Sequence, residues 1–503
     1  MSSAEVAYLF RHALLRDAAY ELQMPADRAQ MHALIVAIFE SLFGGRPAAP
    51  ATALTGAASF APSPLDRESA ELAQHAAQAL ATAPDNPDMQ HALRVYLQRA
   101  ATIAKASFRN DEAVQAWLKL AELPDGPGRG ACLLQAAHVA QRSGRGEQAI
   151  EFAMRAAAEA AATGFSALEA YACHTVAGVH IELMRLEPVE AYAERALKLH
   201  RQNGDELGQC IVLRNLSHYH RISGQPERAL EASRAALQLA DKLGNRGERA
   251  RALQSLATAL VDAGQITEAT NAIQEACEIV TALGLVGETA TYRGNLGLLL
   301  RFGNNLARAE ELMRESVQMA CSTGDERSIA WNQFNLATLL KDTRRRTEAM
   351  HLYEQTLGLA REVGDARLEG MLLNAIAIEQ ADVAAFERAL ALHRRVGNRS
   401  SEGVALGNMA GLLARGGRAK DAEEAYLAAL AIHDETRNLR FRGVHGCEYA
   451  TFLLRQGRTA EAERIWVEGM AILRKSGDQG MVEIKITNMR KDCEDAGVPP
   501  FEA

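Results

Sequence analysis

The stretch that decides the fold is "RNLSHYHRISGQPERALEASRAAL", residues 214–237. Two segments with helical apolar spacing stand on either side of the turn "ISGQPE", and the arrangement recurs as "GNLGLLLRFGNNLARAEELMRESV", residues 294–317. In both copies an asparagine is followed fourteen residues later by an alanine (Asn215 and Ala229, Asn295 and Ala309). One such helical pair cannot bury its apolar side alone, so the pairs must stack on one another.

The repeat has a period of 40 residues, apart from one unit of 33 residues at 365–397. Seven residues are about two helical turns, so the shorter unit keeps its helix faces in register. We count ten units between about Arg94 and Gly477, followed by a closing helix near 480–496. The pattern therefore predicts an all-α fold, an α-solenoid. Its small helix-packing residues are Ala149, Val189, Ala229, Ala269, Ala309, Ala349, Ala422 and Ala462.

These units resemble the tetratricopeptide repeat (TPR), in the long 40-residue class found in spindle-orientation adaptors and kinesin light chains. The matching pattern is N-L-[AGS] in the first helix, glycine in the turn, alanine five residues on and A-L seven further. The resemblance implies a right-handed superhelix of helix pairs, here called helix A and helix B, with helix A lining a concave groove. It implies a superhelical array of about ten repeats with a C-terminal capping helix over 67–497.

Asparagines recur at one position of helix A, and Thr175 and Ser255 take that position in two other units. The resemblance implies that this position faces the groove, where a side-chain amide can bond the main chain of an extended ligand. The alternative is that each asparagine bonds the neighbouring repeat and orders the stack, and both roles are compatible with the sequence. The asparagines are Asn215, Asn295, Asn335 and Asn408.

The predicted groove positions of the nine units other than the short one carry ten cations and four carboxylates, a net charge of +6, whereas the whole chain carries −8. A basic groove would steer and select an acidic partner. The alternative is that half of these side chains are solvated at the rim, where each contributes little. Two aromatic side chains, Trp331 and Phe334, are either anchors for a ligand or parts of the core. The cations assigned to the site are Arg214, Arg221, Arg251, Arg301 and Lys341.

The N-terminal segment 1–43 lies outside the repeat. Its stretch "YLFRHALLRDAAYELQMPADRAQMH" resembles the end of the winged-helix region at the junction with the repeats in STAND-class signal-transduction ATPases. The Pro/Ala-rich stretch 44–66 that follows is predicted to be a flexible linker.

Other functional classes have no support in the sequence. It contains no phosphate-binding G-x-x-x-x-G-K-[ST], no H-E-x-x-H and no G-x-S-x-G, so we predict no enzyme activity, no cofactor and no metal site. The net negative charge argues against nucleic acid and membrane surfaces as partners. No apolar signal core or membrane span is present, and the seven cysteines are scattered, which indicates a cytoplasmic protein.

Three functions are compatible with this sequence. The first is a non-catalytic scaffold that binds an extended, acidic peptide or protein segment in the concave groove. The second is the sensor arm of a split or truncated STAND-type signalling ATPase. The third is a structural solenoid that associates with itself.

Overall fold

The computed structural model describes Tyr20 and residues 22–52, 54, 61–123, 128–183, 185–303 and 305–501. Within these ranges every regular element is helical and no residue lies in a β-strand. The chain divides into two compact units, Met1–Thr175 and Val176–Ala503, called unit 1 and unit 2 below. The expectation of an all-α solenoid is therefore confirmed.

Unit 1 contains six complete α-helices and the first part of a seventh. A short 3₁₀ turn at Pro64–Asp66 precedes the second helix. The helices are α1 Pro25–Leu42, α2 Ser69–Leu80, α3 Pro87–Ala106, α4 Asn110–Ala121, α5 Arg129–Arg142, α6 Gly146–Thr163 and α7 Ser166–Glu182.

Unit 2 continues the alternation of helix A and helix B to the end of the described chain. Its first complete helix is a helix B, and its last helix closes the stack. The helices are α8 Val189–Gln202, α9 Glu206–Ile222, α10 Pro226–Lys242, α11 Arg246–Asp262, α12 Ile266–Ala282, α13 Val286–Phe302, α14 Leu306–Thr323, α15 Glu326–Asp342, α16 Arg346–Glu362, α17 Ala366–Gln380, α18 Val383–Arg395, α19 Arg399–Arg415, α20 Ala419–Glu435, α21 Leu439–Arg455, α22 Thr459–Lys475 and α23 Gln479–Ala496.

From α3 to α22 the described residues form ten helix pairs, the number that the spacing predicts. In a regular unit both helices have 17 residues, as α11 and α12 do, and the turns between helices are three residues long. Such short turns force neighbouring helices to run antiparallel. Most turns from a helix B to the next helix A contain a Gly–Asn or Gly–Asp pair. Gly244 ends one helix at a φ of +62°, and the Asn245 side chain caps the next by accepting from the Glu248 backbone N–H at 3.1 Å.

The short unit shows where seven residues are lost. Helix α17 has 15 residues and α18 has 13, and the turn between them consists of Ala381 and Asp382 only. Ala381 takes the left-handed conformation with a φ of 55°, which lets the chain reverse without a third residue.

The small residues of helix B lie where the helices are closest. Ala229, Ala269, Ala309 and Ala349 have no solvent-exposed surface. A larger side chain at these positions would push helix B away from helix A, since protein interiors are close-packed.

The Pro/Ala-rich segment is anchored to α3 wherever the structure describes it. Arg99, only 1% exposed, donates through Nη1 to the carbonyl of Ala48 at 2.7 Å and through Nη2 to that of Ala61 at 2.9 Å. Gln98 donates to the Pro50 carbonyl and, at 2.8 Å, to the Thr52 hydroxyl. The expectation of a flexible linker is therefore wrong for these residues, because α3 supplies donors for its carbonyl groups.

Candidate peptide-binding site

The candidate site is defined by one position of helix A. In each unit except the short one it lies fourteen residues before the first small residue of helix B, and we call it the ladder position. Spacing alone also puts an arginine, a glutamine and a glutamate at this position in the irregular or terminal units. The ladder positions are Arg99, Gln135, Thr175, Asn215, Ser255, Asn295, Asn335, Asn408 and Glu448.

At four consecutive ladder positions in unit 2 the side chain has no bonding partner among the described residues, and we call these positions unoccupied. They are Asn215, Ser255, Asn295 and Asn335. Each side chain is partly exposed. Within the described residues, none of these four side chains makes a hydrogen bond to another group of the protein. Three amides and a hydroxyl therefore keep their full capacity to donate and accept, on helices α9, α11, α13 and α15.

A nearby asparagine shows the opposite behaviour. Asn332 lies three residues before Asn335 in α15 and is buried. Its side-chain oxygen accepts from the Ser316 hydroxyl at 2.5 Å, and its amide group donates to the Ser328 carbonyl at 2.8 Å. Asn332 thus joins α14 to α15 and orders the stack, whereas Asn335 does not.

The fourth predicted asparagine has a partner that sequence reasoning missed. Asn408 donates to the side-chain oxygen of Asn374 at 3.3 Å. Asn374 belongs to the short unit, for which no groove positions were predicted because its spacing is irregular. The stack-ordering alternative therefore holds for Asn408, while the other three asparagines make no such contact.

In unit 1 every ladder position is already in use. Arg99 holds the Pro/Ala-rich segment, and Gln135 accepts from the Lys105 ammonium at 3.0 Å. Thr175 donates to the Tyr171 carbonyl at 2.8 Å, and its oxygen lies 3.1 Å from His138 Nε2. Since the only Thr175 hydroxyl proton is engaged, His138 must donate through Nε2.

The five cations predicted for the site all lie beside carboxylates of the same chain. Arg221 Nε contacts Asp262 at 2.6 Å, and Arg301 Nε contacts Asp342 at 3.3 Å. Lys341 lies 3.9 Å from that second carboxylate. The remaining two, Arg214 and Arg251, both contact Glu248, at 3.5 Å and 2.6 Å. Arg251 also contacts Glu288 at 2.5 Å.

The electrostatics of the cations differ along unit 2. Burial acts to lower the pKa of Arg251, but its hydrogen bonds with Glu288 and Glu248 raise it. Burial lowers the pKa of Arg301, and the nearby charge of Arg440 adds to this effect while Asp342 opposes it. Some cations of unit 2, such as Arg301 and Arg440, therefore lie close enough to repel each other, and most of the predicted site cations are paired with a carboxylate.

Trp331 and Phe334 are half-buried against the core of the α14–α17 region. Their rings meet edge to face with centroids 6.3 Å apart, and Phe334 also contacts the ring of Tyr353. The Trp331 indole donates from Nε1 to Asp365 at 3.1 Å. Both side chains therefore pack on the core and keep an exposed part.

A cavity of about 620 Å³ lies at the C-terminal end of unit 2. Its walls come from α19, α21 and α23, and they include Asn408 and the ladder residue Glu448. Lys485 bonds Glu448 at 2.5 Å. Burial acts to raise the pKa of the Glu448 carboxyl group, but the charge of Lys485 lowers it below its usual value. Arg455 bonds Asp492 at 2.5 Å, so two of the cations that line the cavity are neutralised.

Two distant turns of unit 2 touch each other. A Cβ atom added to Gly264, in the turn after α11, would collide with the Lys475 carbonyl at the end of α22. One added to Gly477 would lie 2.9 Å from the Gly264 carbonyl oxygen. The Arg440 guanidinium also lies over the Phe302 ring, 5.3 Å from its centroid. The helix stack of unit 2 therefore turns back on itself, which brings α9–α13 opposite α17–α23.

Comparison with known families agrees with this geometry. Residues 208–282 match one model described as tetratricopeptide repeat, and residues 289–323 and 335–363 match a second model with the same description. The chain contains tetratricopeptide repeats. These repeats include the four unoccupied ladder positions. No curated protein matches the sequence.

Several solved structures are similar to this repeat chain at low sequence identity. A Rap protein complexed with competence and sporulation factor is 13% identical, with a TM-score of 0.47 over 74% of this chain and 96% of that one. The apo quorum sensor NprR from B. thuringiensis is 12% identical, with a TM-score of 0.45 over 66% and 96%. A STAND protein with a tetratricopeptide repeat sensor from Pyrococcus horikoshii is 13% identical, with a TM-score of 0.41 over 67% and 53%.

The described ranges lack two further kinds of feature. They contain no group of three or more histidine, cysteine or acidic side chains that could hold a metal ion. No helix in those same ranges is long and apolar enough to cross a membrane.

Proposed function

We propose that the protein is a non-catalytic interaction scaffold whose tetratricopeptide repeats bind an extended, acidic peptide or protein segment. The ligand lies along α9, α11, α13 and α15, and Asn215, Asn295 and Asn335 bond its main chain. Asn408 belongs to the same row but first has to release Asn374.

The observation that carries this proposal is the row of unused hydrogen-bonding groups. A helix-interior asparagine is unfavourable because its amide competes with the backbone. Asn332 offsets this disadvantage with two hydrogen bonds, but Asn215, Asn295 and Asn335 have none within the described protein. A ligand main chain supplies the missing donors and acceptors at regular intervals.

The protein itself gives an example of main-chain binding at the ladder position. Arg99 occupies that position in unit 1 and bonds two carbonyl groups of the chain's own Pro/Ala-rich segment. This contact ignores the side chains of Ala48 and Ala61. We infer that the ladder position is placed to contact an extended backbone, and that unit 2 leaves it free for another molecule.

The acidic character of the ligand follows from the cations along the row. Arg214, Arg221, Arg251, Arg301 and Lys341 lie near the unused amides, and a ligand carboxylate would share them with the protein carboxylates. Such partly exposed charges mainly accelerate association and select the partner, and salt screens them in part.

The test is affinity capture of the partner with the full chain, followed by titration of the captured partner. Losing one buried amide–backbone contact costs about 1–3 kcal/mol, so Asn295→Ala with Asn335→Ala should weaken binding at least ~30-fold. The matched control is the pair Gln274→Ala and Glu278→Ala on helix B, at exposed positions. Normal affinity in a folded asparagine double variant would refute the main-chain role of the ladder.

Self-association is a second candidate function, supported by an exposed apolar stripe on α1. Leu34, Ile38 and Leu42 follow one another at intervals of four residues and are 58%, 45% and 72% exposed. Such a stripe on one helix face is typical of an interaction surface. Light scattering should show an oligomer that Leu34→Gln with Leu42→Gln converts to a monomer. A monomeric wild-type chain at high concentration would exclude this function.

A further inference from the structure

One cation of unit 2 differs from all those discussed so far. Arg367 lies in the first turn of α17, in the short unit that the sequence analysis left out of the groove positions. Its guanidinium lies over the Trp331 ring, 5.8 Å from the centroid. Among the residues that the structure describes, no carboxylate lies within ion-pair distance of Arg367, and its side chain makes no hydrogen bond.

The carboxylate of Asp365, two residues before Arg367, already binds other groups. Asp365 is buried and caps α17 by accepting from the Leu368 backbone N–H at 3.0 Å. Its second oxygen accepts from Arg327 Nε and from Trp331 Nε1, both at 3.1 Å. These contacts hold the Trp331 ring in place, and the ring in turn positions the guanidinium.

The surroundings of Arg367 favour an anion. Its side chain keeps solvent access. Partial burial by the surrounding protein nevertheless lowers the pKa of Arg367. The charge of Asp365 opposes this shift, and the charges of Arg221 and Arg327 add to it. His218 adds no charge, because burial and the charges of Arg221 and Arg367 lower its pKa to about 3. A bound anion would relieve the repulsion between these cations.

We propose that Arg367, whose guanidinium lies over the Trp331 ring, forms a carboxylate subsite that holds an acidic side chain of the ligand. A planar guanidinium binds a carboxylate with two parallel hydrogen bonds, and stacking on an aromatic ring fixes its orientation beforehand. The subsite rests on the proposed function, since it gives one residue of the extended ligand a defined place. It lies one repeat beyond Asn335, at the C-terminal end of the unoccupied row.

The experiment uses the emission of Trp331, because the other two tryptophans, Trp117 and Trp466, are buried. The probes are a capped hexaglutamate peptide, the matching hexaglutamine peptide and inorganic phosphate. We expect a saturable emission change with hexaglutamate only. Arg367→Gln should raise the dissociation constant at least ~10-fold, by analogy with other charge-assisted pairs. Arg395→Gln removes the same charge from an exposed position of α18 and should change it less than about twofold.

Each outcome decides between stated alternatives. Equal binding of hexaglutamine, or unchanged affinity in Arg367→Gln, would overturn the carboxylate subsite, and tighter binding of phosphate would overturn the assignment to a carboxylate. The captured partner separates this subsite from the wider proposal. If Asn295→Ala with Asn335→Ala weakens that partner while Arg367→Gln does not, the main-chain ladder stands and the subsite fails. The reverse result would keep an anion site and refute the ladder.

Discussion

Unit 1 and the first four complete repeats of unit 2 use the same helix A position in opposite ways. In unit 1 the ladder residues Arg99, Gln135 and Thr175 are hydrogen-bonded within the chain. In unit 2 Asn215, Ser255, Asn295 and Asn335 have no partner among the described residues. A buried or half-buried polar group that finds a partner contributes to stability, and one that lacks a partner within the protein is available to a ligand. The comparison indicates that unit 1 is stabilised through the ladder position, and we propose that unit 2 binds its ligand through it.

The largest expected effect is on unit 1. Arg99→Ala removes a nearly fully buried guanidinium and leaves Asp66 and two carbonyl groups without their partner. Breaking a buried pair in this way costs roughly 3–5 kcal/mol. Urea denaturation should show the loss, and limited proteolysis should show faster cleavage within 44–66. Arg155→Ala, which removes an exposed arginine paired only with Glu151, should change neither readout. An unchanged urea midpoint for Arg99→Ala would remove the basis of the comparison.

Unit 2 should instead be sensitive to pH through its buried histidines. His433 Nε2 and His445 Nδ1 lie 2.9 Å apart, and both rings are fully buried. Burial, followed by the charges of His445 and Arg442, lowers the pKa of His433 to about 3. Burial, Lys485 and Arg440 lower that of His445 to about 4, while Glu448 opposes this shift.

The sign of the pH effect follows from these depressed pKa values. The unfolded chain binds protons below about pH 6.5, whereas the folded histidines stay neutral down to about pH 4, so the stability of unit 2 falls across this window. Between about pH 8 and about pH 5 one such histidine accounts for roughly 2 kcal/mol of unfolding free energy. His445→Gln should flatten the dependence of the urea midpoint on pH, and the exposed His351→Gln should leave it unchanged. Equal slopes in all three proteins would contradict the neutral buried pair.

The smallest change in the free energy of unfolding is expected at the ladder position Asn335. This variant tests the difference between the two units most directly. Asn335→Ala should change the free energy of unfolding by less than about 0.5 kcal/mol, because the amide has no partner to lose. Asn332→Ala, one helical turn away, should cost about 1–3 kcal/mol because it removes a buried amide and its two hydrogen bonds, to the Ser316 hydroxyl and the Ser328 carbonyl. Thermal melts of the two variants measure both values. Similar losses in both would mean that Asn335 also orders the stack.

Much of the fold could be predicted from the sequence. The 40-residue spacing, the buried alanines of helix B and the Gly–Asn or Gly–Asp turns place ten helix pairs and a closing helix correctly. The candidate site was predicted only in part. The ladder position was found by its spacing, but Asn374 and Arg367 were missed because they lie in the unit whose spacing is irregular. The identity of the predicted cations was accessible from the sequence, but their carboxylate partners were not assigned.

The sequence by itself determined the repeating helices, because helical periodicity, capping and glycine turns depend on residues within a few positions of one another. Only the tertiary structure decided which polar side chains remain available. Arg99 and the carbonyl of Ala48 are 51 residues apart in the chain, and Arg327 and Asp365 are 38 apart. Whether such groups meet depends on how stacked repeats and long connections lie in space. A hydrogen bond or ion pair also requires a specific distance and direction, which spacing along the chain does not specify.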